Sequence, residues 1–421
     1  MNPSAQSVSF STANPHALAT ILEASQTKSI IASRDIFDVS GIKLWARDLP
    51  VSQALQRKLL DRQLRHPLES CLIAEDGVTT RSLVQSLEQL LERDTPLAAL
   101  LQPHADRIVH AAAHLPLHSV AQLLLTAGQV SRPASFEHAL QAMALTGALM
   151  AAHGGGTREL RLAMLCGLLH DLGEMYIAPR YGEADVERAL DFLSYQQLVV
   201  HPHIGKLLVE QLTNYPPEVA RAIAEHHERL DGSGYPHCLH RDLLSPLGRL
   251  LAVSEGTLAA LRGEQAHLTR ASVALRAVPG EYDLGWVGLV SCGARRQPAL
   301  QASAGVDEIR ARLSQLDAAL QAAQRNTSAL LPTAETPALK DALGLAQHLL
   351  ARLRMGWNAS GLWSADGVAA QDLAEVEAVE HELQFRLRSI VRAAQLRAGV
   401  LPEGDALRLN SLCEGLADRA S

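Results

Sequence analysis

The chain has 421 residues, 47% of them hydrophobic, and a formal net charge of −7. That much apolar material exceeds one ordinary core, so two or three domains are expected, and the acidic balance argues against a broad DNA, RNA or anionic-membrane surface. The five cysteines are scattered, odd in number and never in a CxxC pair, which argues against a disulfide framework or a thiolate zinc site.

The opening, MNPSAQSVSFSTANPH, has no basic segment followed by an apolar run, and no stretch approaches ~20 uncharged apolar residues. Neither a signal peptide nor a membrane span is expected, and the reducing cytoplasm is the expected compartment. Residues 1–33, rich in Ser, Ala and Thr, are expected to be a flexible tail with at most one short helix. Residues 34–128 are expected to form a small mixed α/β accessory domain. FDVSGIKLW and CLIAEDGV have strand character there. VSQALQRKLLDRQL and TTRSLVQSLEQLLERD have helical spacing, with Ser52 and Thr80 as N-caps. QPHADRIVHAAAHLPLHSVAQLLLTAGQ is expected to be helical. As one helix it would align His110, His114 and His118, but Pro116 interrupts it, so a metal site is not expected there.

From 130 onward the pattern is helix after helix. SFEHALQAMALTGALMAAH stops at Gly154-Gly155-Gly156. TRELRLAMLCGLLHDLG ends at Gly173, and a third helix begins near Pro202. PPEVARAIAEHHERL opens on proline, as helices prefer, and the DGSGYP turn closes it. SPLGRLLAVSEGTLAALRG is another helix. Residues 305–421 form long amphipathic segments. Ile309, Leu313, Leu316 and Leu320 repeat at three to four residues, as do Val376, Val379 and Leu383, which suits ordinary bundle packing or a dimer seam. The fold class is therefore mainly α.

Histidine is concentrated between His138 and His240. His170 and Asp171 end an apolar helix, where a buried charge needs a partner. A metal ion is one such partner, since a carboxylate bridges two cations while imidazoles hold each. Imidazole and carboxylate without thiolate suit Fe(II) or Mn(II), with Zn(II) and Ni(II) as alternatives. Two such ions would activate water at neutral pH and clamp a phosphodiester.

The ordered set of His138, HDLG (170–173), HPHIG (201–205), HHERLDGSGYP (226–236) and LAVSEGTLAAL (251–261) resembles the HD-GYP family of cyclic di-GMP phosphodiesterases, a branch of the HD phosphohydrolases. VPGEYDLGWVGLV (278–290) resembles that domain's closing helix, which gives an HD-GYP domain over 129–293. The resemblance implies an all-helical core holding two divalent ions. Its metal ligands would be His138, His170, Asp171, His201, His226, His227 and Glu255, with Asp171 bridging. His201 or a neighbouring imidazole would protonate the leaving 3′ oxygen. Asp231, Gly232, Gly234, Tyr235 and Pro236 would form the loop that shapes the substrate site and meets diguanylate cyclase (GGDEF) domains.

The resemblance has departures. The family's lysine after HDxG is Glu174 here. A KPG segment is replaced by APRYGEADVE, and an arginine-rich stretch by RGEQ (262–265). Glu255 stands for the usual aspartate. Ala134 lacks the glutamate of three-metal members. Glu174 reads as an extra metal ligand, as a solvated surface charge or as a mark of lost catalysis. Two functions follow: hydrolysis of cyclic di-GMP in bacterial second-messenger signalling, or a weak or inactive module that binds cyclic di-GMP or a cyclase domain. Arg180, Arg221 and Arg229 are candidates to restore positive charge near the phosphates.

Overall fold

The computed structural model describes residues 10–178, 192–262, 265–362, 372–398 and 401–410. Arg180, Trp363, Cys413, the APRYGEADVE stretch beyond Ala178, and Gly263 and Glu264 of the RGEQ stretch lie outside the described residues. The chain is mainly helical and divides into two compact units. One comprises Met1–Arg188, Gln196–His227 and Leu243–Ser254. The other comprises Ala189–Tyr195, Glu228–Asp242 and Glu255–Ser421. None of the described helices is long and apolar enough to cross a membrane.

In the first unit, α1 (Pro15–Ala24) starts where the Asn14 side chain accepts from the amides of His16 and Ala17, with Pro15 in the first turn. Ala17, Leu18, Ile21 and Ala24 are buried at helical spacing, and α1 packs on the helix Ser119–Ser131. The short helix allowed within 1–33 is therefore α1, docked on the rest of the unit. Composition suggested a loose segment, but one apolar stripe suffices to dock it. The strands β1 (Ile30–Ala32), β2 (Ile36–Phe37) and β3 (Lys43–Trp45) follow, then α2 (Gln53–Leu59) and β4 (Leu72–Ala74). β1 pairs antiparallel with β4, Ile31 opposite Ile73, and β2 pairs antiparallel with β3.

Ser52 stands at the N-cap of α2 without a side-chain capping bond. The cap of α3 (Thr80–Leu91) is Thr79 rather than Thr80. Its hydroxyl accepts from the Ser82 amide while the Ser82 hydroxyl accepts from the Thr79 amide. Beyond α4 (Pro96–Leu101), the histidine-rich stretch splits at Pro116 into α5 (Ala105–Ala112) and α6 (Ser119–Ser131), with His118 capping α6.

The centre of this unit is α7 (Pro133–Ala152), buried on nearly every side, packed on α8 (Thr157–Leu169). A Cβ at Gly167 of α8 would lie 2.4 Å from the Ala142 carbonyl oxygen, so only glycine permits this crossing. α9 (Phe192–Leu212) begins ahead of the expected start and carries Pro202 inside it. α10 (Pro217–Glu225) and α11 (Pro246–Ala260) follow.

The second unit holds α12 (Leu268–Arg276), α13 (Leu284–Ala294), α14 (Val306–Leu330), α15 (Pro337–Ser360) and α16 (Leu373–Ala398). Ile309, Leu313, Leu316, Leu320, Val376 and Leu383 share one core with Leu343, Leu350 and Trp357, and Val379 packs against it. The leucine seam is consumed by packing within the chain. The alternative use of those residues, as a dimer seam, is therefore corrected.

Candidate metal centre

Six of the expected site residues converge in the first unit. Asp171, His201, His226 and His227 offer ligand atoms all within 4.8 Å of one another, and so do His138, His170 and Asp171. All six side chains are buried.

Backbone contacts explain the convergence. α8 ends at Leu169, leaving His170 as C-cap, and the chain tightens into a 3-10 turn at Leu172–Tyr176. A Cβ at Gly173 in that turn would lie 2.0 Å from the His201 carbonyl oxygen and 2.8 Å from the Gly205 amide nitrogen. A Cβ at Gly205 would lie 2.9 Å from the Ile223 side chain. The glycines of HDLG and HPHIG therefore let the 3-10 turn meet α9 at backbone distance and α9 close on the Ile223 side chain of α10, which brings His170, His201 and His226 to the same point.

Each of these histidines is oriented by a carbonyl that its helix leaves unpaired. The Nδ1 of His170 donates to Gly167 O at 2.7 Å and that of His226 to Ile223 O at 2.6 Å, both in the last turns of their helices. The Nδ1 of His201 donates to Leu198 O at 2.5 Å. That carbonyl is free because its helical partner would be the amide of residue 202, which is proline. Carbonyls only accept, so all three rings carry a proton on Nδ1 and turn Nε2 inward.

Those Nε2 atoms crowd together. The Nε2 atoms of His138 and His170 lie 3.3 Å apart, and those of His201 and His226 lie 3.1 Å apart. Asp171 divides its oxygens between the pairs. Oδ2 faces His170 at 3.0 Å and His138 at 3.6 Å, while Oδ1 faces His201 at 3.3 Å and His226 at 3.5 Å. Burial would raise the Asp171 carboxyl, but His170, His201 and His226 outweigh it and hold it well below the usual carboxylate range. Burial, then the neighbouring charge of His227, pushes His226 down to about 3. Imidazoles and a carboxylate thus face one another in a buried site, an arrangement that divalent cations would satisfy. The donor set fits metal on either side of Asp171. With Nδ1 turned to Leu198 O, His201 presents Nε2 to Asp171 and to the metal side of the site.

Other expectations divide. Glu255 belongs to neither group; it sits in α11 where the chain passes from the first unit to the second. Glu174 is 2% exposed, which removes the surface-charge reading. Ser135 Oγ lies 3.5 Å from its Oε2, and Arg132 donates to its carbonyl at 2.6 Å and to Ile177 O at 3.2 Å. Burial lowers the Arg132 pKa, and the charges of Glu174 and Glu23 work against that loss. Glu174 thus faces the first turn of α7 and is in neither metal group. His153, His237 and His240 are exposed, as expected of loop histidines.

The signature loop is described within the second unit. Gly232 has φ +78°, and a Cβ there would lie 2.0 Å from the His240 ring, so glycine is required twice over. The Tyr235–Pro236 peptide is cis. Asp231 caps its own turn, Oδ1 accepting from the Ser233 amide at 3.0 Å and hydroxyl at 2.6 Å. The sequence gave no role to Glu228. This fully buried carboxylate accepts from the amides of His237 at 2.6 Å and Leu239 at 2.9 Å and ties the two ends of the loop. A charged residue flanked by charged residues carries no local sign of burial.

Residues 121–278 match the HD domain family. The chain is 26% identical over 218 residues to a cyclic di-GMP phosphodiesterase of Pseudomonas aeruginosa, covering 52% of this chain and 50% of that protein. It is 25% identical over 206 residues to 3′3′-cGAMP-specific phosphodiesterase 3 of Vibrio cholerae, covering 46% and 44%. The chain thus spans about half the length of the curated relatives it matches. A solved HDG"Y"P protein of Bdellovibrio bacteriovorus aligns at 15% identity and a TM-score of 0.36, covering 64% of this chain and 96% of that one.

Proposed function

We propose that this chain, a divergent member of the HD-GYP family, is a metal-dependent phosphodiesterase of the cytoplasm that hydrolyses cyclic di-GMP to the linear dinucleotide or GMP. The reading is carried by one observation: each Asp171 oxygen faces its own set of imidazole Nε2 atoms. In this reading His138 and His170 hold one ion, His201, His226 and His227 hold a second, and Asp171 bridges them. Fe(II) or Mn(II) suits the donors. When bound, such ions supply activation of water and positive charge against a phosphodiester.

The chain's own residues do the rest. Gly173 and Gly205 bring the turn and helices together, Leu198 O and Ile223 O hold the rings in one tautomer, and the dry pocket strengthens each charge interaction. The loop Asp231–Pro236 shapes the dinucleotide site and is the surface for a diguanylate cyclase (GGDEF) domain. Residues 129–293 form the catalytic domain, with 34–128 and 305–421 accessory to it. Self-association would use faces other than the buried leucine seam.

A second reading is favoured by Glu174, a buried carboxylate where the family has lysine: a module that binds the cyclic dinucleotide with little or no turnover. The test is turnover of cyclic di-GMP and 3′3′-cGAMP by anaerobically purified protein loaded with Fe(II) or Mn(II). Products and metal content are measured in parallel for the His170→Ala/Asp171→Ala variant. Product formation that disappears with metal in the double variant is expected. Folded, metal-loaded protein that binds dinucleotide but yields no product overturns the enzyme in favour of the module.

A further inference from the structure

The loop that the phosphodiesterase reading assigns to substrate is anchored from far along the chain. Asp231 Oδ2 accepts from Arg352 Nε at 2.8 Å, across 121 residues of sequence. The same guanidinium donates to Pro279 O. Beside it, the Leu230 amide donates to Glu281 O at 2.9 Å. The Glu281 carboxylate accepts from Arg386 at 2.6 Å and faces Arg229 Nε at 3.7 Å. Arg386 is itself braced by Glu382 at 2.6 Å and Ala274 O at 3.1 Å. Arg352 belongs to α15 and Arg386 to α16.

Two features separate this from ordinary surface pairing. The acceptors are almost dry, Asp231 at 4% and Glu281 at 6% side-chain exposure, so the pairs escape the screening that makes exposed bridges weak. The loop also does not need Arg352 in order to turn, because the Asp231–Ser233 bonds and Gly232 already make the turn. What Arg352 adds is a tether to helices whose apolar faces form a core of their own, reaching Ala277 and Val278. At the point of closest approach, a Cβ on Gly356 of α15 would lie 2.2 Å from Ala277 O. Segment 277–281 thus shares backbone contact with α15 and backbone hydrogen bonding with the loop's first leg. That leg follows His226 and His227 directly in the chain.

We propose that Arg352 and Arg386 are positioning residues through which α15 and α16 set the signature loop, so that the C-terminal helices govern how the dinucleotide is bound. The proposal rests on the phosphodiesterase reading for the loop's role in substrate binding. A displacement of α15 passes to Asp231 through one guanidinium, and a displacement of α16 passes to Leu230 through Glu281.

The experiment uses the full, Mn(II)-loaded chain and two substrates: cyclic di-GMP, and bis(p-nitrophenyl) phosphate, a small diester that needs no dinucleotide loop. Arg352→Ala should raise KM for cyclic di-GMP about tenfold, in line with the cost of misplacing a substrate-orienting group. Turnover of the small diester should stay within about twofold of the parent, since Arg352 acts only on the loop. Arg352→Lys should recover part of the loss, because lysine keeps the charge but cannot fork to both acceptors. In an Asp231→Asn background, Arg352→Ala should add little. An unchanged KM, or equal losses on both substrates, overturns the proposal. If the parent hydrolyses neither substrate, the phosphodiesterase reading fails, and amide hydrogen exchange judges the tether alone. Faster exchange at Ser233, His237 and Leu239 in Arg352→Ala upholds the tether, and unchanged exchange overturns it.

Discussion

Gly173→Ala is the sharpest perturbation of the metal centre that touches no ligand. The new Cβ would stand 2.0 Å from the His201 carbonyl oxygen, where ordinary contact begins at 3.4 Å, so about 1.4 Å of separation must be found. Both obstructing groups are backbone, His201 O and Gly205 N, and neither can rotate away. The φ of Gly173 lies outside the positive range, so the effect is steric rather than conformational. Relief requires α9 to draw back from the 3-10 turn, which opens the 3.3 Å gap between His201 Nε2 and Asp171 Oδ1. Overpacking of this kind costs about 1–3 kcal/mol. The expected outcome is a lower Tm, loss of one metal equivalent from the His201, His226 and His227 side, and retention of the His138 and His170 side. Metal content by elemental analysis and a melting curve measure both. Gly344→Ala is the control: nothing lies within 4 Å of its Cβ and it sits inside α15. It should leave metal content unchanged and add up to about 1 kcal/mol of stability. A Gly173→Ala protein with full metal content and the parental Tm would refute the close-approach account.

Two further outcomes are expected. Glu174→Lys places a second buried cation beside Arg132 and removes the carboxylate that offsets it. It should cost about 3–5 kcal/mol, whereas Glu174→Gln should cost less; urea unfolding measures both, and a Glu174→Lys protein as stable as the parent would contradict the buried placement. Glu377 is held down to about 2, against its own burial, by the Ser303 hydroxyl and amide and by Arg312. Its folded pKa lies below the ordinary 4.5, so the stability it contributes is present above about 4.5 and is lost as pH falls toward 2. A melting series over that range should show a steeper acid loss in the parent than in Glu377→Gln, and parallel curves would remove Glu377 from the account.

The glycine punctuation of the central helices was legible in the sequence because it is local, whereas the candidate ligand set came from the resemblance of the histidine motifs to the HD-GYP family. A histidine at a helix end or before a proline has a free carbonyl within four residues, as His170, His201 and His226 each do. Helical spacing likewise announced the C-terminal core, though not that it closes within the chain. The sequence misjudged whatever depends on which surface covers a residue. Glu174 stood open between metal ligand, surface charge and mark of lost catalysis, and Arg132, forty-two residues earlier, sits against its turn. The segment around α1 looked loose until α6 covered its stripe. Thr80 and Thr79 are equally good caps by composition, and only the position of Ser82 selects between them.

The sequence by itself determined which atoms can hold metal, since donor chemistry belongs to the side chain. Tertiary structure alone decided that Asp171 shares its oxygens between two histidine sets and that Arg352 and Arg386 hold the signature loop. Each of these is a meeting of groups tens of residues apart or more, brought about by helix packing at glycine contacts that no local pattern encodes.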